Sequence, residues 1–154
     1  MAAVTGVIIN TRTGAHGSYA DWVAAFVDLW SAPAQNVARF TDVLDPAIRL
    51  IAPGVPTTTG HDAARRAFER LFKALPDMRG DVIRWSAEGD TLFIEMTFTA
   101  TIGRRELTWA NVDRFAFVNG AAVERIAYFD PTPVRLAFLT SPSGWRQFAT
   151  ILWG

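Results

Sequence analysis

The stretch Trp109-Ala110-Asn111-Val112-Asp113-Arg114-Phe115-Ala116-Phe117-Val118-Asn119-Gly120-Ala121-Ala122-Val123-Glu124-Arg125 decides the fold. Its side-chain character repeats every second residue, the pattern of an extended strand and not of a helix. Asn119-Gly120 breaks the alternation with a dipeptide that accepts positive φ at both central positions of a tight hairpin turn. A strand over Glu106 to Val118 is therefore predicted to turn back into another over Ala122 to Phe129. Upstream, Asp81 to Glu88 and Thr91 to Thr101 show the same alternation, with turns at Gly89-Asp90 and Gly103. Four such runs in succession predict an antiparallel meander.

Farther out the period lengthens. From Ser18, a candidate N-cap, to Trp30 the apolar residues Trp22, Val23, Phe26, Leu29 and Trp30 recur at helical spacing, and Pro33 is expected to end that helix. A short helical piece is expected over Asn36 to Thr41 and a strand over Val43 to Ala52, after which Pro53 to Gly60 reads as a loop. His61 to Leu75 carries Ala64, Phe68, Leu71, Phe72 and Leu75 on one side and Arg65, Arg66, Glu69, Arg70 and Lys73 on the other, a helix stopped by Pro76. Asp130-Pro131 has the form of an N-cap followed by proline at the first helical position, opening a helix through Leu139. A last amphipathic segment runs from Ser143 to Trp153. Helices first and strands later predict an α+β domain, not a parallel βαβ sheet.

The chain has 154 residues, enough for one domain. Residues 1–17 read as a flexible N-terminal arm and 18–154 as the single domain. Lys and Arg total 15, as do Asp and Glu, so no net charge draws the chain to nucleic acid or an anionic membrane. There is no cysteine, which excludes thiolate catalysis and Cys-based zinc sites and fits a cytoplasmic setting. No window reaches the length of apolar sequence that spans a bilayer. No nucleotide fingerprint, phosphate loop or cofactor motif is present, so neither a cofactor nor a metal is expected. Eleven Phe and 6 Trp supply more ring volume than a minimal core needs, and some of it is expected to line a pocket.

The order of these elements resembles the nuclear transport factor 2-like superfamily, and the Trp109–Arg125 hairpin, together with Tyr128-Phe129-Asp130-Pro131 and Gly60-His61-Asp62-Ala63, resembles its SnoaL-like polyketide cyclase branch. The resemblance covers about residues 18–139. It implies a cone-shaped α+β roll, a strongly curved antiparallel sheet closed by the N-terminal and middle helices. It also implies a pocket for a small molecule, but no single chemistry, since the superfamily spans cyclases, ketosteroid isomerases, epoxide hydrolases, dehydratases, carriers and structural modules. The acid/base positions of the cyclases fall on Ala127 and Arg125 here, the isomerase base on Ala52, and the epoxide hydrolase Arg and Asp on Met96 and Phe98. The well-known sites are not reproduced.

Alternation places Trp109, Asn111, Asp113, Phe115 and Phe117 on one face of their strand. A carboxyl group desolvated by rings resists carrying charge and suits proton exchange near neutral pH, so Asp113 is the first candidate for a catalytic acid or base and Asn111 the second. The competing reading makes Asp113 one half of a structural ion pair with Arg125 or with Arg49. The choice depends on register: a two-residue turn sets position 113 across from 126, whereas a three-residue loop with Gly120 bulged brings 113 and 125 onto one face. The resemblance favours the bulge. Tyr19, Trp22, Phe26, Arg49, Trp109, Phe115 and Arg125 are the candidate ligand-contacting residues, with Glu95, His61 and Asp130 as weaker site candidates. The expected reading is a cofactor-independent cyclase, isomerase or lyase acting on a hydrophobic carbonyl compound, or a non-catalytic module that binds such a molecule or dimerises. A homodimer is expected because a cone leaves its convex face to be covered.

Overall fold

The computed structural model describes residues 5–8 and 19–154. Its strands are β1 (Thr5–Ile8), β2 (Leu44–Ile51), β3 (Thr58–Thr59), β4 (Arg79–Glu88), β5 (Thr91–Ile102), β6 (Arg105–Val118) and β7 (Ala121–Tyr128), and its helices are α1 (Tyr19–Ser31), α2 (Pro33–Asn36), α3 (His61–Ala74), α4 (Pro131–Leu139) and α5 (Pro142–Trp153). A 3-10 turn, Val37–Val43, joins α2 to β2. Most of the expected arm, and the proposed Ser18 cap, lie outside the described residues; within the arm, Thr5–Ile8 pairs with β4. Pro33 does not simply end α1. It sits, buried, in the first turn of α2, where its missing N–H costs nothing.

One seven-stranded sheet runs in the order β1-β4-β5-β6-β7-β2-β3. The meander β4 to β7 is antiparallel as predicted, but the sheet as a whole is mixed, because β1 joins β4 and β2 joins β7 in parallel. The chain between β2 and β7 is long enough to hold a helix and four strands, so β2 can enter beside β7 in the same direction without a hairpin.

The concave face of the sheet and the buried face of α1 (Val23, Phe26, Leu29 and Trp30) make one core with Phe68 and Phe72 of α3. Trp30 is 1% exposed and packs with ring centroids 4.7 Å from Phe98, 5.2 Å from Phe40 and 5.8 Å from Phe72. Gly80 makes this possible: a Cβ there would come within 2.6 Å of Met96 Cε and 3.1 Å of the Trp30 ring. No helix among the described residues is long and apolar enough to cross a membrane.

The β6–β7 hairpin turns through Asn119 (φ 50°) and Gly120 (φ 81°), both positive as the tight turn requires. Val118 faces Ala121 and Phe117 faces Ala122, but Ala116 then faces Glu124, so Val123 is the extra residue of a bulge. The bulge lies beyond a two-residue turn, not at Gly120 within a three-residue one. Without it Arg125 would fall on the face opposite to buried Ala122; with it Arg125 turns into the concave face alongside Ala127.

Candidate functional site

Strand β6 passes from an open cavity into solid packing. At its outer end Trp109 and Asn111 line a cavity of about 260 Å³. At its inner end Phe115 and Phe117 are covered by rings from α1, with Trp22 4.7 Å from Phe115 and 5.3 Å from Phe117, centroid to centroid, and Tyr19 5.1 Å from Phe117. Asp113 stands at the boundary, wholly buried and not part of the cavity wall.

Its carboxylate is engaged on both oxygens. Asn111 Nδ2 donates to Oδ1 at 2.9 Å, and Arg125 Nη2 approaches Oδ2 to 2.8 Å as a close ion contact without an in-line hydrogen bond. Arg125 Cζ also lies 5.9 Å from the centre of the Trp30 ring, a cation–π distance. Three buried polar atoms beside this cluster have no hydrogen-bond partner among the described residues: Asn111 Oδ1, Arg125 Nε and Trp30 Nε1. All three residues line the cavity. An apolar chamber thus has at its inner end one acceptor and two donors unpartnered, in a setting where an unsatisfied polar group is costly.

The rest of the wall is contributed by several elements. The concave sheet supplies Phe98 and Ala127, α3 supplies Phe68, Arg70 and Leu71, the Pro53–Pro56 loop closes one side, and α4 and α5 supply Arg135, Phe138, Phe148 and Ile151. Helix α5 is fastened by Gln147, whose Nε2 donates to the carbonyls of Ala74 (3.1 Å) and Thr101 (3.0 Å) while its Oε1 accepts from Gly103 N–H at 2.7 Å.

Of the residues singled out in the sequence, Asp113, Asn111, Arg125 and Trp109 converge at the inner end of the cavity or line it. Tyr19, Trp22, Phe26 and Phe115 do not line it: they fill the closed end of the cone, with Trp22 stacked on Phe26 at 5.4 Å. Phe26 and Phe115 border only a second void of about 10 Å³, room for one water at most. The Tyr19 hydroxyl donates to the Gly89 carbonyl at 2.8 Å, and burial together with the nearby Asp90 carboxylate pushes its pKa up. Arg49 lies on the convex face, where Glu124 accepts from it at 3.1 Å, so the partner of Asp113 is Arg125 and not Arg49. Glu95 is also convex, bound to Arg84, whose hydrogen bond holds the Glu95 carboxyl below the usual carboxylate range. His61 Nε2 lies 2.8 Å from the Leu44 carbonyl, away from the cavity wall. Asp130 caps α4 by accepting from Thr132 N–H at 2.9 Å, which lowers its pKa. No cluster of His, Asp and Glu among the described residues could hold a metal ion.

Arg70, expected on the polar side of its helix, instead borders the cavity beside Leu71, drawn there by its bond to the Ile151 carbonyl; Arg135 and the aromatic residues of α4 and α5 were not singled out by the sequence as site residues. The amphipathic spacing of Phe148, Ile151 and Leu152 was visible, but it did not say that the apolar side faced a cavity and not a core.

A cone of mixed sheet, helices over its mouth and an aromatic pocket inside define an α+β roll whose cavity suits a small hydrophobic molecule. The profile of the SnoaL-like domain family matches residues 23–125, and the chain belongs to that family, within the nuclear transport factor 2-like superfamily. The match ends before α4 and α5, so the part of the wall they form lies outside the matched region. The fold is shared with a putative SnoaL-like polyketide cyclase from Jannaschia sp. CCS1 (17% identity, 87% of this chain and 99% of that one, TM-score 0.72). It is shared also with TerC, co-crystallised with polyporic acid (18%, 77% and 93%, TM-score 0.64), and with an epoxide hydrolase of Mycobacterium tuberculosis resembling limonene epoxide hydrolase (16%, 76% and 86%, TM-score 0.62). No curated protein is matched by the sequence.

Proposed function

We propose that this chain binds a small hydrophobic molecule bearing an oxygen function, with the apolar body against Phe68, Phe98 and Trp109 and the oxygen at Arg125 and Asn111. The observation that carries this reading is the division of labour at β6. Asn111 and Arg125 line the cavity with unpartnered polar atoms, while Asp113 stands behind them and holds both. A carboxylate that accepts from one neighbour, pairs its charge with the other and does not reach the cavity acts as a brace for the groups that do. The co-crystallisation of the similarly folded TerC with polyporic acid supports an aromatic, oxygenated occupant.

A second reading keeps Asp113 as the acid or base of a cofactor-independent isomerase, cyclase or lyase, with Asn111 hydrogen-bonding the oxygen that gains charge. It is favoured by the proximity of Asp113 to the cavity: a single residue step along one face of β6 separates it from cavity-lining Asn111. It requires Arg125 to release the carboxylate when substrate enters.

One variant tests the cavity that both readings use, and a second distinguishes them. Ala127→Leu places bulk in the cavity beside the cluster, so binding of an apolar probe is expected to fall at least about tenfold, at an overpacking cost of about 1–3 kcal/mol. Unchanged binding would remove the cavity from consideration. Asp113→Asn is expected to lower stability and probe affinity together; an Asp113→Asn protein that binds normally but has lost a measurable turnover supports proton transfer instead.

The chain is further proposed to form a homodimer through the convex face of the sheet. Phe93 (39% exposed) and Tyr128 (50% exposed) lie there with Val112 and Ile126, and the neutral overall charge offers no repulsion to a second copy.

A further inference from the structure

The cavity wall contains three arginines, Arg70, Arg125 and Arg135, and no Asp or Glu among the described residues. In a chain whose charges sum to zero this is a local excess of positive charge set against apolar walls. The three are not equivalent. The charge of Arg125 is met by Asp113 at 2.8 Å. Arg70, half-buried on α3, donates from Nε to the Ile151 carbonyl at 3.3 Å, which orients the guanidinium without neutralising it. Arg135, exposed on α4, has no acidic partner among the described residues and lies over Gly54: a Cβ there would come within 2.8 Å of Nη2, so the absent side chain leaves the space the guanidinium occupies. Two uncompensated cations therefore border the cavity, and an unpartnered donor, Arg125 Nε, lies at its inner end.

We infer that the occupant is a small hydrophobic carboxylic acid, its carboxylate held by Arg70 and Arg135 and its apolar body in the cavity, with a further oxygen function at Arg125 and Asn111 as in the ligand-binding reading above, on which this rests. A guanidinium presents a planar fork of donors that matches a carboxylate. A neutral molecule would gain nothing from either charge, and a basic one would be repelled.

The probes are anthracene carboxylate and its methyl ester, which share a ring system and differ in charge, read by energy transfer from Trp30 and Trp109 in the cavity wall. The acid is expected to bind about tenfold more tightly than the ester, with the advantage shrinking as salt is raised. Arg70→Gln and Arg135→Gln should each weaken the acid more than the ester, narrowing the difference between them. Arg135→Glu should make the acid the weaker ligand, and Arg66→Gln, at an exposed position outside the cavity wall, should alter neither. If the ester binds the native protein as well as the acid does, or Arg135→Glu leaves acid binding intact, the inference is overturned while the cavity remains a ligand site. If neither probe binds, the ligand-binding reading fails and the inference falls with it.

Discussion

Arg125 Nη2 lies 2.8 Å from Asp113 Oδ2 although the two are not partners in the sheet register: Arg125 stands opposite Phe115, and Asp113 stands opposite Ala127. They meet on the diagonal of one face, within reach of a long side chain. The Val123 bulge makes this possible by turning Arg125 inward. The ion pair closes the ring-packed end of the cone and defines the polar end of the cavity.

Breaking that pair from one side leaves a buried charge unanswered. Arg125→Met alone is therefore expected to cost about 3–5 kcal/mol, and the double variant Asp113→Leu/Arg125→Met to recover much of the loss. Urea unfolding of the two single variants and the double variant gives the coupling directly. Additive losses would mean that the two groups do not depend on each other.

Gln147 fastens α5 to the end of α3 and the end of β5 through three hydrogen bonds. Gln147→Leu is expected to cost about 1–3 kcal/mol and to leave partly buried backbone groups unpaired. Because α5 contributes Phe148 and Ile151 to the cavity wall, amide exchange in Pro142–Trp153 should accelerate more than in β5 or β6. Uniform acceleration across the protein would contradict a local tether.

Asp77 receives the Thr101 N–H on both carboxylate oxygens at 3.1 Å, tying the α3–β4 turn to β5. Burial pushes its pKa up, but the bonds from Thr101 and from its own backbone, together with the Arg79 charge, outweigh burial and leave the pKa lowered. A carboxyl lowered by folding contributes stability that is present above its unfolded pKa and lost as pH falls through the folded value. The stability difference between the native protein and Asp77→Asn should be constant above about pH 5, begin to shrink near about pH 4 and vanish only once the pH is below the lowered folded value. Solvent screening keeps it to about 1 kcal/mol. A difference that persists at low pH would assign the effect to packing.

On the convex face, Phe93→Lys and Tyr128→Lys replace exposed rings without touching the concave core. Sedimentation at several protein concentrations is expected to show a dimer for the native chain and a monomer for the double variant, with probe affinity unchanged. A native chain that sediments as a monomer at all concentrations would remove the interface.

The meander, the helix over residues 61–74 and the Asp130 cap were legible because each is written in a local code. Period-two alternation, period-3.6 alternation and capping chemistry need only neighbours along the chain, and here they agree with the family motif. The parallel pairing of β1 and β2 was not legible, since nothing in Thr5–Ile8 or Leu44–Ile51 states which edge it will join. Tyr19, Trp22, Phe26 and Phe115 show a harder limit. Aromatic residues on the inner face of a cone look the same in sequence whether they border empty space or one another.

The sequence by itself determined the α+β class, the hairpin, and the placing of Asn111 and Asp113 on one face of a strand, because side-chain period is a property of the backbone. Only the tertiary structure decided that Val123 absorbs the extra residue, that Arg125 rather than Arg49 meets Asp113, and that Arg70 and Arg135 come to one cavity from helices far apart in the chain. Those outcomes depend on sheet curvature and on which distant elements close over it, and both are settled by packing among many residues at once.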